Sequence, residues 1–238
     1  CIYFQREEPD IMSPRLEFPP DLFFQGTYTD MKHHMVSVWR VKRTHDYFTN
    51  LKYEEKKNKI STITSGKTDA IGHRYRIQFL MDMVERFDGI DIFGRGGVES
   101  FGNIRKCFKG SVDNDGYCKF VGIYPYQYHL SFENSQHLNC INEKPLDCLL
   151  CWTMPIYWGC PNIHEWLPEG SYYNVKTQNI QDELDKLLDF IKTPPSKENI
   201  EAISYGRELV LNKYNLWSEI ESIINGTPVG NLVVGNQV

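Results

Sequence analysis

The fold is decided by residues 60–97, which read ISTITSGKTDAIGHRYRIQFLMDMVERFDGIDIFGRGG. The run Ile60–Thr64 is rich in β-branched residues and predicts a strand, Ser65-Gly66-Lys67 predicts a turn, and Asp69 is placed to cap a helix. That helix is predicted by apolar residues at helical spacing, namely Tyr75, Phe79, Leu80, Met83, Val84 and Phe87. Ile90–Phe93 then predicts a second, buried strand, so this stretch has the pattern of one βαβ unit.

Strands and helices continue to alternate along the rest of the chain. Further strands are predicted at Tyr128–Phe132, Met154–Trp158 and Ser171–Val175, and further helices at 143–152, at 180–191 and after Ser196. We predict a loose loop over residues 96–116. This alternation indicates an α/β fold with a doubly wound parallel sheet, which binds ligands beyond the carboxyl ends of its strands.

Composition excludes several classes of protein. The chain has 238 residues, of which 41% are apolar and 24% charged, so it is neither disordered, collagenous nor coiled coil. The net charge of −5 argues against a nucleic-acid partner. No apolar run reaches the roughly 18 residues of a membrane span, so we expect membrane contact only through a segment outside this chain. Cys1–Phe4 lacks the features of a signal peptide, and we expect a fragment that begins in mid-protein.

The seven cysteines are interpreted as packed thiols rather than as a metal site. Cys148 and Cys151 have CxxC spacing, but no second ligand pair follows at a suitable distance, and the surrounding residues predict a buried helix. Free thiols and a single glycosylation sequon at Asn225 favour a cytoplasmic, bacterial or viral setting over a Golgi lumen.

The densest group of chemically useful residues lies between Phe132 and Pro145. Phe132-Glu133-Asn134-Ser135 ends a predicted strand, and Asn142-Glu143-Lys144-Pro145 opens a predicted helix. A helix N-terminus with an adjacent lysine suits a phosphate, and a nearby carboxylate and amide suit sugar hydroxyls. The alternative is that Glu143 only stabilises the helix by interacting with its dipole, while Lys144 is a surface residue and Asn134 a turn residue.

The segment from Tyr128 to Val175 resembles the donor-binding motif of the α-1,3/4-fucosyltransferases, glycosyltransferase family 10. The resemblance is carried by the elements FENS, NEK, MPIYWGCPN and LPEGSYYNV in the family's order and spacing. Residues 60–97 resemble the preceding strand, helix and "D-[IV]-[YF]-G-R" segment of that family.

The resemblance implies a GT-B architecture, with two Rossmann-like domains facing across a cleft. Residues 1–58 would be the remnant of the acceptor-side domain with a linker, 59–195 the complete GDP-sugar-binding domain, and 196–238 carboxyl-terminal helices and tail. The implied activity is inverting transfer of fucose from GDP-fucose to a glycan or glycoconjugate hydroxyl, with an α-1,3-type linkage and no cofactor or metal. Glu143, Lys144 and Asn134 match donor-contacting residues of the family.

Three positions depart from the family pattern. Cys140 stands where the family commonly has an aromatic residue, and Asn142 stands where it has threonine. The family's phosphate-binding arginine aligns with His73, and we choose the neighbouring Arg74 for that role. Arg76 is interpreted as part of a basic helix face in water.

The opening segment Phe4–Pro9 resembles the family's strand-end carboxylate motif and places Glu7 on the proposed general base, with Glu8 as the alternative. An inverting transfer needs such a carboxylate to take the proton of the attacking hydroxyl. The sequence also leaves open use of another nucleotide sugar, or a degenerate domain that binds nucleotide or glycan without turnover. The DxD at Asp113–Asp115 is interpreted as a turn, and His33-His34 are not expected to chelate one metal ion together.

Overall fold

The computed structural model describes residues 39–56, 58–112, 118–176 and 179–215, together with 217, 218, 221 and 225. The strands of this part of the chain are β1 Asn58–Ser65, β2 Ile90–Arg95, β3 Phe108–Gly110, β4 Tyr126–Phe132, β5 Met154–Trp158 and β6 Tyr173–Asn174. The helices are α1 His45–Asn50, α2 Ile71–Arg86, α3 Cys118–Ile123, α4 Glu143–Leu150, α5 Ile180–Phe190 and α6 Lys197–Asn212. None of the helices described has both the length and the apolar character of a membrane-spanning segment.

The six strands form one parallel sheet in the order β3-β2-β1-β4-β5-β6. This order is that of the Rossmann fold, and the chain reverses its direction of travel across the sheet between β1 and β4. The prediction of a doubly wound parallel sheet is therefore confirmed. A ligand is expected in the crevice beyond the carboxyl ends of β1 and β4.

Helices cover both faces of the sheet. The side chains of each strand alternate between the two faces and pack against the helices on each side. On β4, Phe132 packs against Phe79 of α2 and Tyr128 against Phe190 of α5. The intervening residues point to the opposite layer, where Ser131 lies 3.1 Å from the Sγ atom of Cys148 in α4. The central strands β4 and β5 are thus buried on both sides, as expected inside a doubly wound sheet.

The charge of residues 32–60, eight Lys or Arg against three acids, predicts an exposed rim or linker. Most of residues 39–56 are indeed exposed, but a few of them pack against the sheet domain. Phe48 is fully buried, and Arg207 of α6 donates a 2.7 Å hydrogen bond to its carbonyl oxygen. Lys56 is also buried, and its ammonium donates to the carbonyl oxygens of Tyr124 and Cys151. The prediction of an exposed face is wrong for Lys56 because its cation caps the carbonyl ends of neighbouring turns.

Several local predictions differ from the structure in detail. The N-cap of α2 is Ala70 rather than Asp69, whose carboxylate instead lies 3.0 Å from Nδ1 of His73. The predicted loop over residues 96–116 contains the short strand β3 and two turns of 3₁₀ helix, Val98–Ser100 and Ile104–Lys106. Ser196 caps α6 as predicted, with its hydroxyl accepting from the Asn199 N–H.

Candidate functional site

A cleft of about 370 Å³ opens at the carboxyl edge of the sheet. It lies at the point between β1 and β4 where the fold predicts a ligand, and the amino-terminal turns of α2 and α4 form part of its wall. Five cationic side chains and two carboxylates line it, namely Lys67, Arg76, Arg95, Lys119 and Lys144 against Glu143 and Asp147. The excess of positive charge, together with two helix N-termini, makes the cleft suited to an anion.

Three residues singled out in the sequence meet in this cleft: Asn134, Glu143 and Lys144 all line it. Asn134 lies two residues beyond the end of β4, and the other two residues open α4. The predicted strand end and helix start are therefore brought together, although Asn134 and Glu143 are nine positions apart along the chain. Cys140 is buried and does not line the cleft.

Glu133 holds the two ends of this loop together from inside the protein. Its carboxylate accepts hydrogen bonds from the backbone N–H of Asn142 at 3.0 Å and from that residue's side-chain amide at 3.2 Å, and it pairs with the Lys144 ammonium. Glu133 is 1% exposed. Burial and the neighbouring charge of Glu143 raise the pKa of Glu133, although Lys144 acts to lower it. Glu133 is thus a buried support of Lys144 rather than part of the cleft wall.

Glu143 stays ionised at the mouth of the cleft. Burial acts to raise the pKa of Glu143, but the positive charges of Lys144 and Lys119 outweigh it and lower the pKa to about 2. The Lys119 ammonium lies 3.0 Å from Glu143 Oε1. A permanently ionised carboxylate at this position accepts hydrogen bonds from ligand hydroxyls across the physiological pH range.

Arg74 and Arg76 lie in the opposite positions to those that the sequence suggested: Arg76, not Arg74, lines the cleft. Arg74 is exposed and outside the cleft, and its Nη1 atom donates to the carbonyl oxygens of Thr68 at 2.8 Å and Asp69 at 2.9 Å. Arg76 lines the cleft and is 5% exposed, so its expected position on a basic face in water is wrong. The reason is that this side of α2 packs toward the sheet, where Arg76 Nη1 donates to the carbonyl oxygen of Phe132 at 3.2 Å.

The guanidinium of Arg76 is incompletely satisfied within the described part of the chain. Its Nε atom is buried and has no hydrogen-bond partner among those residues. Burial lowers the pKa of Arg76 to about 10, so the group remains a cation at neutral pH. A buried cation with unused donors beside a cleft is a strong site for an anionic group.

The inner end of the cleft contains His129, which sequence reasoning missed. Its Nδ1 atom lies 2.7 Å from the Ser61 hydroxyl, which in turn donates to the carbonyl oxygen of Gly122 at 2.7 Å. Since the single hydroxyl proton of Ser61 goes to that carbonyl, Nδ1 of His129 carries a proton and Nε2 is an acceptor. Burial and the charge of Lys119 lower the pKa of His129 to about 3. The alternating pattern of β4 places His129 and Ser131 on one face of the sheet, but it does not reveal that His129 lines the cleft.

Gly72 sets how closely α2 approaches the end of β4. Its N–H donates to the carbonyl oxygen of Asn134 at 2.8 Å, and a Cβ atom there would lie 2.3 Å from the carbonyl oxygen of Glu133. Only glycine permits this contact, because the obstructing atoms belong to the backbone.

Gly72→Ala is therefore expected to destabilise the protein by about 1–3 kcal/mol, although glycine-to-alanine changes inside helices are usually stabilising. Urea unfolding measures the difference. Gly206→Ala in α6 is the matched control, since its Cβ atom would meet side chains rather than backbone, Leu149 at 3.1 Å and Pro168 at 3.6 Å. Equal effects of the two substitutions would contradict the close contact at Gly72.

Other candidate residues fall into two groups. Glu7, Glu8, His33-His34 and the DxD at 113–115 lie outside the described residues. Cys148 and Cys151 are fully buried free thiols, which confirms the interpretation of packed side chains. Across the described part of the chain, no group of three or more His, Cys, Asp or Glu side chains is arranged to hold a metal ion.

The sheet order defines a Rossmann-like α/β domain, with the cationic cleft at the carboxyl edge of its sheet. The solved structure of S. aureus TarM aligns with 76% of this chain and with 37% of its own length, with a TM-score of 0.52 and 15% sequence identity. This likeness shows the GT-B type of fold. The solved structure of an α1,3-fucosyltransferase with GDP aligns with 67% of this chain and with 49% of its own length, with a TM-score of 0.43 and 21% sequence identity.

The chain belongs to glycosyltransferase family 10. Residues 53–199 match the family model described as "Glycosyltransferase family 10 (fucosyltransferase) C-term", which confirms the resemblance found in the sequence. The α-(1,3)-fucosyltransferase FucT of Helicobacter pylori is 34% identical over 95 residues, which cover 40% of this chain and 18% of FucT. The chain therefore aligns with less than a fifth of that relative's length.

Proposed function

We propose that this chain carries the donor-binding part of an inverting fucosyltransferase. The enzyme would transfer fucose from GDP-fucose to a hydroxyl of an oligosaccharide or glycoconjugate acceptor, forming an α-1,3-type linkage. Family membership supports the choice of sugar, since the matching model and the H. pylori relative are both described as fucosyltransferases.

The observation that carries the proposal is the buried, incompletely satisfied guanidinium of Arg76 in the cleft wall. A nucleoside diphosphate supplies the acceptor oxygens that Arg76 lacks, and Lys144 and the α4 N-terminus add positive potential on the neighbouring wall. We accordingly assign the phosphate contact to Arg76, although the sequence pattern favoured Arg74.

Each proposed site residue then has one part in the reaction. Arg76 and Lys144 stabilise the negative charge that grows on GDP as the bond between its phosphate oxygen and the anomeric carbon breaks. The Glu143 carboxylate accepts hydrogen bonds from the ribose or sugar hydroxyls, and the Asn134 amide can both donate to them and accept from them. With two cationic side chains aimed at the leaving group, we propose that no metal ion or other cofactor is needed.

The proposed general base is Glu7, an assignment that rests on the sequence motif alone. The acceptor hydroxyl gives its proton to the Glu7 carboxylate while its oxygen forms the new bond to the anomeric carbon from the face opposite GDP. GDP leaves with the electron pair of the broken bond, and the configuration at the anomeric carbon is inverted.

Calorimetric titration of GDP, GDP-fucose, GDP-mannose and UDP into the chain, with EDTA present, tests the proposal. We expect GDP and GDP-fucose to bind at least about tenfold more tightly than UDP, and EDTA to leave the affinity unchanged. Equal binding of GDP and UDP would contradict the assignment of a guanine nucleotide. Binding that disappears in EDTA would contradict the metal-free mechanism, and tighter binding of GDP-mannose would indicate another donor sugar.

A further inference from the structure

Lys119 lies between two carboxylates of α4 that are one helical turn apart. Its ammonium is 3.0 Å from Oε1 of Glu143 and 3.0 Å from Oδ2 of Asp147. Like charges four residues apart on a helix repel each other, so the two carboxylates need a cation between them. Burial acts to lower the pKa of Lys119, but the charges of Asp147 and Glu143 outweigh it and raise the pKa.

Asp147 is the fixed end of this arrangement. Its side chain is fully buried, and its other oxygen, Oδ1, accepts a 2.8 Å hydrogen bond from the backbone N–H of Arg40. Both carboxylate oxygens of Asp147 are therefore engaged, one by α3 and one by the segment that precedes α1. These two contacts fix the orientation of the Asp147 carboxylate in the cleft wall.

Glu143 is the end that faces a ligand. Lys119 engages Oε1, while Oε2 accepts no hydrogen bond from another residue within the described part of the chain. Glu143 keeps 26% of its side chain exposed, whereas Asp147 keeps none. Lys119 thus holds the Glu143 carboxylate in one orientation, with one oxygen fixed and the other open to the cleft.

We propose that Lys119 is a positioning residue, which uses Asp147 as its anchor and orients the Glu143 carboxylate toward the ribose hydroxyls of the bound nucleotide. The ribose part of this inference rests on the proposed function. The orientation of Glu143 by Lys119 does not, and it is measurable without any nucleotide.

The first test measures the titration of Glu143 in the nucleotide-free protein by carboxyl ¹³C NMR, with Glu143→Gln to assign the signal. In Lys119→Met we expect the midpoint of Glu143 to rise by about one pH unit or more, since a nearby cation is lost. Lys119→Arg should restore the low midpoint. Lys109→Met is the matched control, because Lys109 pairs with Asp91 at 3.2 Å away from this site and should leave Glu143 unchanged.

The second test compares the affinities of GDP and 2′-deoxy-GDP. If Lys119 acts through Glu143, the preference for GDP over 2′-deoxy-GDP should fall about tenfold or more in Lys119→Met and in Glu143→Gln. Combining the two substitutions should cause no further loss of this preference. Should Lys119→Met fold poorly, Lys119→Met/Asp147→Asn replaces it, because the asparagine oxygen still accepts from Arg40.

The outcomes separate the two proposals. An unchanged Glu143 midpoint in Lys119→Met, or additive losses in the double variant, would overturn the positioning role. A shifted midpoint without any GDP binding by the parent protein would support the orientation of Glu143 by Lys119, overturn its use toward ribose, and count against the proposed function.

Discussion

Replacing Arg76 with methionine is expected to weaken GDP binding by about 30- to 100-fold, on the scale of a lost charge-assisted contact of about 2–3 kcal/mol. The protein should unfold at the same denaturant concentration as the parent, or at a higher one. The guanidinium is buried with a donor that has no partner in the described residues. Its removal therefore relieves a desolvation cost that the hydrogen bond to Phe132 and the charge of Glu133 offset only in part.

Arg74→Met is the matched control for this change. Arg74 lies on the same helix two residues away, but it is exposed and its hydrogen bonds go to backbone carbonyl oxygens outside the cleft. We expect GDP affinity within about twofold of the parent, because an exposed charge outside the cleft is screened by solvent. Calorimetry with GDP and guanosine separates phosphate binding from base binding. A larger loss for Arg74→Met than for Arg76→Met would reverse the assignment.

Replacing Lys144 with methionine is expected to lower the free energy of unfolding by about 3 kcal/mol at pH 7, in addition to weakening GDP binding. The reason is Glu133, which is 1% exposed. Among the ion pairs of the described residues, Lys144 is its only cationic partner, so the substitution would leave a buried carboxylate unpaired. A carboxyl whose pKa is raised in the folded state favours folding when it is protonated. The stability deficit of Lys144→Met should therefore shrink as the pH falls from 8 toward 5, as thermal unfolding across that range would show.

The double variant Glu133→Gln/Lys144→Met distinguishes support of the fold from binding of the ligand. The glutamine keeps an oxygen that accepts from Asn142 and removes the uncompensated charge, so most of the lost stability should return. GDP binding should stay weak, because no cation replaces the Lys144 ammonium at the cleft. If the double variant regains both stability and GDP affinity, then Lys144 serves only the fold. If it regains neither, the Glu133–Lys144 pair does not explain the instability of Lys144→Met.

Local patterns were sufficient to predict the architecture. The β-branched run at 60–64, the helical spacing of apolar residues up to Phe87 and the short strand at Ile90 define a βαβ unit, and its repetition implies a doubly wound sheet. Asn134, Glu143 and Lys144 were also accessible from the sequence, since a strand end and a helix start of a parallel sheet share one edge. These features depend on neighbours along the chain and on a general rule of parallel sheets.

Tertiary packing alone decided which charges face the cleft and which support it. Arg74 and Arg76 have the same side chain on the same helix, and only the way α2 lies on the sheet makes the second one buried. Glu133 and Lys119 could not be assigned because their partners lie 11 and 24 residues away in sequence, across loops whose path no local pattern specifies.

The sequence by itself thus determined the family, the parallel sheet and the edge of the sheet at which the candidate site lies, because short-range periodicity and motif spacing encode them. The tertiary structure decided the ionisation and orientation of the site residues. Burial and charge pairing depend on distances of a few ångströms between elements that are remote in the chain, and only the folded arrangement specifies those distances.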